Sequence, residues 1–232
     1  SFAAKTGVGV RLCDTPAKAI AGATVVILAV KPQVIDEAVK SVAEAFKSGS
    51  EARPIVVSIA AGVPIERLEN GLPQKTRVIR VMPNTPCLIG RGASGLATGS
   101  AATSDDAALI CELLATVGVV ETVPESLLDA VTGLSGSGPA YVFQMIEALS
   151  DGGVKMGLPR AIATRLAAQT LAGAAEMLLS TGQHPGALKD SVTSPGGTTI
   201  AGLHAMEQGG VRAALIDAVE ASTLRSRELG KS

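Results

Sequence analysis

Residues 24–30 read Thr-Val-Val-Ile-Leu-Ala-Val, an uninterrupted β-branched and aliphatic run that stops at Lys31-Pro32. So short a run, with no polar alternation, fits a strand buried on both faces of a parallel sheet. Apolar residues then recur at Val34, Ile35, Ala38, Val39, Val42 and Phe46, which is helical spacing over Gln33 to Lys47. Pro54-Ile55-Val56-Val57-Ser58-Ile59 returns to a strand, so the three segments predict a βαβ unit with a right-handed crossover.

The same alternation extends in both directions. Val8 to Leu12 reads as a short strand. Pro64 opens a short helix that Asn70-Gly71 closes, and Arg77 to Met82 is a strand. Asp105 and Asp106 open a helix running to Thr116 with Gly118 as its C-terminal cap, and Val119 to Val123 is a further strand. Alternating strands and helices predict an α/β doubly wound sheet. Three of its strand ends carry unusual residues: Ala29-Val30-Lys31-Pro32, Ser58-Ile59-Ala60-Ala61-Gly62 and Met82-Pro83-Asn84-Thr85-Pro86. Ligands of open α/β sheets lie beyond the carboxyl ends of the strands, so these turns should border one cleft.

After Thr132 the pattern changes. Gly133-Leu134-Ser135-Gly136-Ser137-Gly138-Pro139 reads as a breaker-rich hinge, and no strand signal follows it. The boundary falls between Pro124 and Gly138, dividing the chain into 1–124 and 125–232. Ser137 and Pro139 start a helix that Asp151-Gly152-Gly153 ends near Ser150. Pro159 starts a longer one that closes at Thr181-Gly182. A short helix after His184-Pro185, one opened by Ser194-Pro195-Gly196-Gly197 and a last one from Val211 to about Leu229 complete an all-helical region. The chain has no Trp, one Tyr and three Phe, so its helices must pack through small and aliphatic side chains. The helix from Pro159 is apolar or Ala nearly all round. That predicts burial between two subunits, with a compact monomeric bundle as the plainer alternative.

Basic residues number 20 and acidic residues 21, and they are interspersed, leaving no footprint for nucleic acid or an anionic membrane. A small-molecule partner is expected instead. Cys13, Cys87 and Cys111 are odd in number and scattered, which argues against a disulfide framework or structural zinc and for a reducing compartment. No apolar run reaches the roughly 20 residues that span a bilayer. The chain opens Ser1-Phe2-Ala3-Ala4-Lys5 without an initiator Met, which leads us to expect a longer protein.

The clearest ligand signal lies at Ser194-Pro195-Gly196-Gly197-Thr198-Thr199-Ile200. Two glycines allow close approach of backbone, and two threonines bring hydroxyls to a helix N-terminus whose N–H groups point outward. Such a terminus favours a carboxylate or phosphate. Alternatively, the stretch is an ordinary capped helix.

These segments together resemble a known family. Ala29-Val30-Lys31-Pro32-Gln33, Arg80-Val81-Met82-Pro83-Asn84-Thr85-Pro86, Leu134-Ser135-Gly136-Ser137-Gly138-Pro139-Ala140-Tyr141, Asp151-Gly152-Gly153-Val154 and Ser194-Pro195-Gly196-Gly197-Thr198-Thr199 closely resemble pyrroline-5-carboxylate reductase, from about Val8 to Leu229. The resemblance implies a Rossmann-like dinucleotide-binding domain over 1–124 and a helical substrate-binding and dimerisation domain over 125–232. It implies reduction of (S)-1-pyrroline-5-carboxylate to L-proline with NADPH or NADH, the last step of proline biosynthesis, in the cytoplasm, or in a mitochondrion or plastid if a targeting segment precedes the chain. Backbone N–H groups around Gly196, Gly197 and Thr198, beside Ser194, would hold the substrate carboxylate, with Glu125 lining the pocket. The Thr199 hydroxyl would meet the ring nitrogen as the catalytic contact. Ala29, Val30, Lys31, Ala61, Asn84 and Ser191 would face the cofactor. No metal is implied, and the only histidines, His184 and His204, form no triad. The family commonly assembles homodimers with intertwined helices into decamers.

Departures from the family pattern leave alternatives open. The family's opening strand, GxGxxA turn and helix are not among these residues, and Gly7-Val8-Gly9 does not replace them. The sheet is therefore expected to be N-terminally incomplete. Pro16 and Ser191 stand where members often carry asparagine. A truncated, non-catalytic copy that binds ligand or oligomerises remains an alternative. So does a related hydroxy- or keto-acid dehydrogenase using Lys155 or Lys189.

Overall fold

The computed structural model describes residues 9–47 and 54–230. The short helix α1 (Pro16–Ile20) is capped by Thr15 and precedes β1 (Val25–Leu28). A 3-10 turn at Pro32–Val34 leads into α2 (Ile35–Lys47), and β2 (Ile55–Ser58), α3 (Ile65–Gly71) and β3 (Val78–Met82) follow. After a second 3-10 turn come β4 (Gly92–Thr98), α4 (Ser104–Ala115) and β5 (Gly118–Thr122). The five strands stand in the order β1-β2-β3-β4-β5. Neighbours are parallel except β3 and β4, which pair antiparallel with Val81 opposite Leu96.

Burial on both faces explains the uninterrupted apolar runs. Val56 joins Leu28, Ile35, Val39, Leu68, Val78 and Leu128 on one side of the sheet, while Ile55 and Val57 join Ile79, Val81, Leu96 and Ile110 on the other. Successive β2 side chains thus alternate between two cores, each buried Ile or Leu contributing about 1.5–3 kcal/mol. β1 departs from its expected burial. It is an edge strand, and Ile27 is 48% exposed.

Four local readings are corrected. Residues 9–12 form no strand, and Val8 lies outside the described residues. Gly118 does not cap α4, whose C-cap is Thr116; it begins β5 at φ 152°, with its Cα face against Gly92. The 133–138 hinge is a π-helical turn over Thr132–Gly136, continuing α5 (Leu128–Val131). Finally, α6 (Gly138–Lys155) does not stop near Ser150 but runs through Gly152-Gly153. Strand β4 was not foreseen at all. Its Gly-Ala-Ser-Gly-Leu-Ala-Thr has no β-branched residue before Thr98, and α5 lies directly on it: a Cβ at Gly95 would sit 2.9 Å from both Val131 methyls.

Helix α4 opens with a capping box in which Asp106 accepts from the Thr103 N–H and hydroxyl, both at 2.9 Å, and pairs with Arg77 at 2.7 Å. Burial, the largest influence on the Asp106 carboxyl, pushes its pKa up, but the Thr103 hydrogen bonds and Arg77 together hold it below the usual carboxylate value. A depressed folded pKa stabilises the fold above the unfolded value and stops doing so as pH falls through the folded one. Asp106→Ala should therefore cost about 2–3 kcal/mol at pH 7 in urea unfolding, with the gap from wild type closing as pH drops below about 4.

The chain parts at Gly136/Ser137 into a sheet unit and a helical unit, and the end of the chain, from Ala221, belongs again to the sheet unit. The helical unit contains α6, α7 (Arg160–Thr181), α8 (Pro185–Ser191), α9 (Thr198–Gln208) and the first half of α10 (Val211–Leu229). Within it α6 and α7 approach closely: a Cβ at Gly153 would lie 3.1 Å from the Ala163 Cβ and 3.3 Å from Leu158. That contact accounts for glycine inside a helix. Gly153→Val should lower the stability of the helical unit by about 1–3 kcal/mol, read as a fall in its thermal midpoint. Ser150, Ala163 and Ala167 are buried, while Phe143, Leu149, Ile162, Leu166, Met177 and Leu179 are exposed, so a single chain leaves these large apolar side chains in water.

Candidate active site

In the sheet unit, β1, β2 and β3 are adjacent and parallel, so the turns that follow them share one edge. After β1, Ala29, Val30 and Lys31 are exposed, and Lys31 adopts an extended conformation ahead of the Pro32 turn. After β2, Ala60 is buried, Ala61 exposed, and Gly62 turns the chain at φ 75°. After β3 comes Asn84, whose amide ties backbone on both sides: its Nδ2 donates to the Ser135 carbonyl at 3.1 Å and its Oδ1 accepts from the Ala93 N–H at 2.9 Å. Asn84 thereby fixes the π-helical turn against the start of β4. An edge of small exposed residues and extended backbone suits a dinucleotide lying across strand ends.

Glu125 has two partners in the same unit. One carboxylate oxygen accepts from the Ile65 N–H at 2.7 Å, at the start of α3, and from Arg80 at 3.0 Å. Arg80 is buried in β3, and sequence reasoning passed over it; a lone arginine within Val-Ile-Arg-Val-Met was the available signal.

In the helical unit, Gly196 takes φ 66°, and Gly197 is the extended N-cap of α9 with no side-chain cap. By contrast α1, α4 and α8 are capped by Thr15, Thr103 and His184. The Gly197 N–H donates to the Ser194 carbonyl at 3.1 Å, and the first intrahelical bond of α9 runs from Ala201 to Gly197. The N–H groups of Thr198, Thr199 and Ile200 are thus the orphan donors of the first turn. Elsewhere helical threonines turn back on their own helix, as Thr170 does on Leu166 and Thr181 on Met177. Among the described residues the Thr198 and Thr199 hydroxyls make no such bond. A Cβ at Gly197 would meet the Ser194 hydroxyl and lie 3.2 Å from the Ser194 carbonyl oxygen, so a larger residue there would displace the Ser194 side chain. Ser194 is exposed, and Ser191, in the last turn of α8, donates to the Leu188 carbonyl at 2.7 Å. Three orphan N–H groups beside two uncommitted hydroxyls are the donors that a bound anion and a neighbouring acceptor would need.

The pyrroline-5-carboxylate reductase of Methanosarcina acetivorans is 49% identical over 223 residues, covering 96% of this chain and 81% of the relative. This chain belongs to the pyrroline-5-carboxylate reductase family. The family's Arabidopsis thaliana member is 50% identical over 97% of this chain and 79% of its own length. A family model described as pyrroline-5-carboxylate reductase dimerisation matches residues 125–229, and one described as NADP oxidoreductase, coenzyme F420-dependent, matches residues 1–62. Among solved structures, the reductase from Coxiella burnetii superposes with a TM-score of 0.90 at 37% identity, covering 97% of this chain and 82% of that one. The Plasmodium falciparum enzyme, solved with NADP bound, gives 0.83 at 31% identity over 94% of this chain and 81% of that one. A ketol-acid reductoisomerase, at 15% identity and a TM-score of 0.55, shares the fold alone. Among the described residues no helix is long and apolar enough to cross a membrane, and no group of His, Cys, Asp and Glu is placed to hold a metal.

Proposed function

We propose that this chain reduces (S)-1-pyrroline-5-carboxylate to L-proline with NAD(P)H, closing proline biosynthesis. The observation that carries the reading is about half identity to named reductases over nearly the whole chain, and the α9 terminus of this chain has no side-chain cap. The nicotinamide supplies the hydride to the imine carbon, and the ring nitrogen takes up a proton. Such a reaction needs no metal and no nucleophile from the protein.

What remains for the chain is placement. The substrate carboxylate is held by the orphan N–H groups of Thr198 and Thr199, with Ser194, Gly196 and Gly197 shaping the turn. The Thr199 hydroxyl meets the ring nitrogen. Ala29, Val30, Lys31 and Ala61 face the cofactor, and Asn84 keeps their edge in shape. Ser191 is assigned to the cofactor by family position alone. Glu125 is assigned to the substrate by family position alone, and one of its oxygens accepts from Ile65 and Arg80.

The exposed apolar faces of α6 and α7, within the residues matched by the dimerisation model, support a homodimer with intertwined helices; assembly of such dimers into a decamer is assigned by family resemblance alone. Free cysteines at 13, 87 and 111 support a reducing compartment, the cytoplasm. The test is steady-state reduction of pyrroline-5-carboxylate by the full-length protein with each nicotinamide. Saturable imine-dependent oxidation of either one supports the reading. A folded dimer inert with both refutes it and favours a non-catalytic copy.

A further inference from the structure

The turn after β2 is held from several directions within the sheet unit. On one side the Ala60 N–H donates to the Ser58 hydroxyl at 3.3 Å, and on the other the Ile65 N–H donates to Glu125 at 2.7 Å. The end of α10 closes the remaining side. A Cβ at Gly62 would lie 3.7 Å from the Gly230 nitrogen and 3.8 Å from the Leu229 Cβ, and one at Gly230 would lie 3.0 Å from the Gly62 carbonyl oxygen. Backbone meets backbone there, so any shift of the helix end is felt by Ala61-Gly62.

One side-chain bond fixes that helix end. The Ser226 hydroxyl donates to the Asp129 Oδ1 at 2.6 Å, joining residues 97 apart, and Ser226 is 5% exposed. Asp129 stands in α5 next to Leu128, which is fully buried in the same core as Ala60, Val63 and Ile65. The bond thus ties α10 to the base from which the turn projects. An apolar pair could hold two helices together as firmly, whereas a short bond to a carboxylate fixes their register.

We propose that Ser226 and Asp129 are positioning residues for nicotinamide binding, acting through the α10 end on Ala61-Gly62. The proposal rests on the reading of Ala61 as a neighbour of the cofactor.

The test uses full-length protein carrying Ser226→Ala, Asp129→Leu or Asp129→Asn, with NADPH affinity read from the change in its fluorescence and KM measured for both substrates. Ser226→Ala and Asp129→Leu should each weaken NADPH binding and raise its KM about 3- to 10-fold, with the imine KM unchanged. Asp129→Asn keeps an acceptor oxygen and should stay within about twofold of wild type. The Ser226→Ala/Asp129→Leu double variant should be no worse than either single one. A lower thermal midpoint with NADPH affinity unchanged would overturn the proposal, as would equal weakening of both substrates or a wild type that binds no NADPH. Fluorescence needs no turnover. A wild type that binds NADPH but forms no proline would refute the reductase reading, while the variants' affinities still decide this one.

Discussion

Thr199→Val is expected to lower kcat/KM for pyrroline-5-carboxylate about 10- to 100-fold, the equivalent of the roughly 1.5–3 kcal/mol carried by one hydrogen bond to a charged group. Valine keeps the shape of threonine and removes the hydroxyl. Because Thr199 sits in the first turn and makes no side-chain bond among the described residues, the helix itself should be undisturbed. The division between constants is informative. If the bond strengthens as the nitrogen gains its proton, kcat falls; if it only holds the ring, KM rises alone. Steady-state kinetics with an unchanged thermal midpoint would establish the role, and unaltered constants would remove Thr199 from the site. The carboxylate should respond differently, since backbone N–H groups hold it and no side-chain deletion reaches them.

Phe143→Glu and Leu166→Glu should each produce a folded, inactive monomer. In a single chain Phe143 is 66% and Leu166 54% exposed, so a glutamate at either place is solvated and costs the protomer little. In a two-fold interface each substitution buries two unpaired charges, at several kcal/mol apiece. Sedimentation equilibrium should show dissociation at micromolar concentration, with helical content kept. A dimer of normal affinity from both variants would place the interface elsewhere.

Much of the fold was legible because burial writes itself into sequence. The run at 54–59 is apolar but for Ser58 because β2 feeds two cores, and α2 shows its buried stripe at Ile35, Val39 and Val42. Glycines misled where packing rather than chain direction demanded them. Gly152-Gly153 reads as a helix stop, yet Gly153 only makes room for Ala163. Gly92 and Gly95 hide a strand because Cys87 and Val131 occupy the space of their side chains. The site was legible by half. The α9 terminus announces itself in consecutive residues, Ser194 to Thr199, whereas Glu125, Arg80 and Ile65 meet across up to 60 positions and leave no local pattern. Asn84 stood out as a residue, but its bonds to Ser135 and Ala93 follow from tertiary contact alone.

The most direct measurement of the central claim is isotopic. Full-length protein is supplied with pyrroline-5-carboxylate and nicotinamide cofactor deuterated at the transferring carbon, and the proline formed is analysed by mass spectrometry and NMR. Direct hydride transfer predicts L-proline carrying one deuterium at C5, formed mole for mole with oxidised cofactor, and lost in proportion in Thr199→Val. A folded dimer that binds the deuterated cofactor but yields no proline, or proline without deuterium, would contradict it.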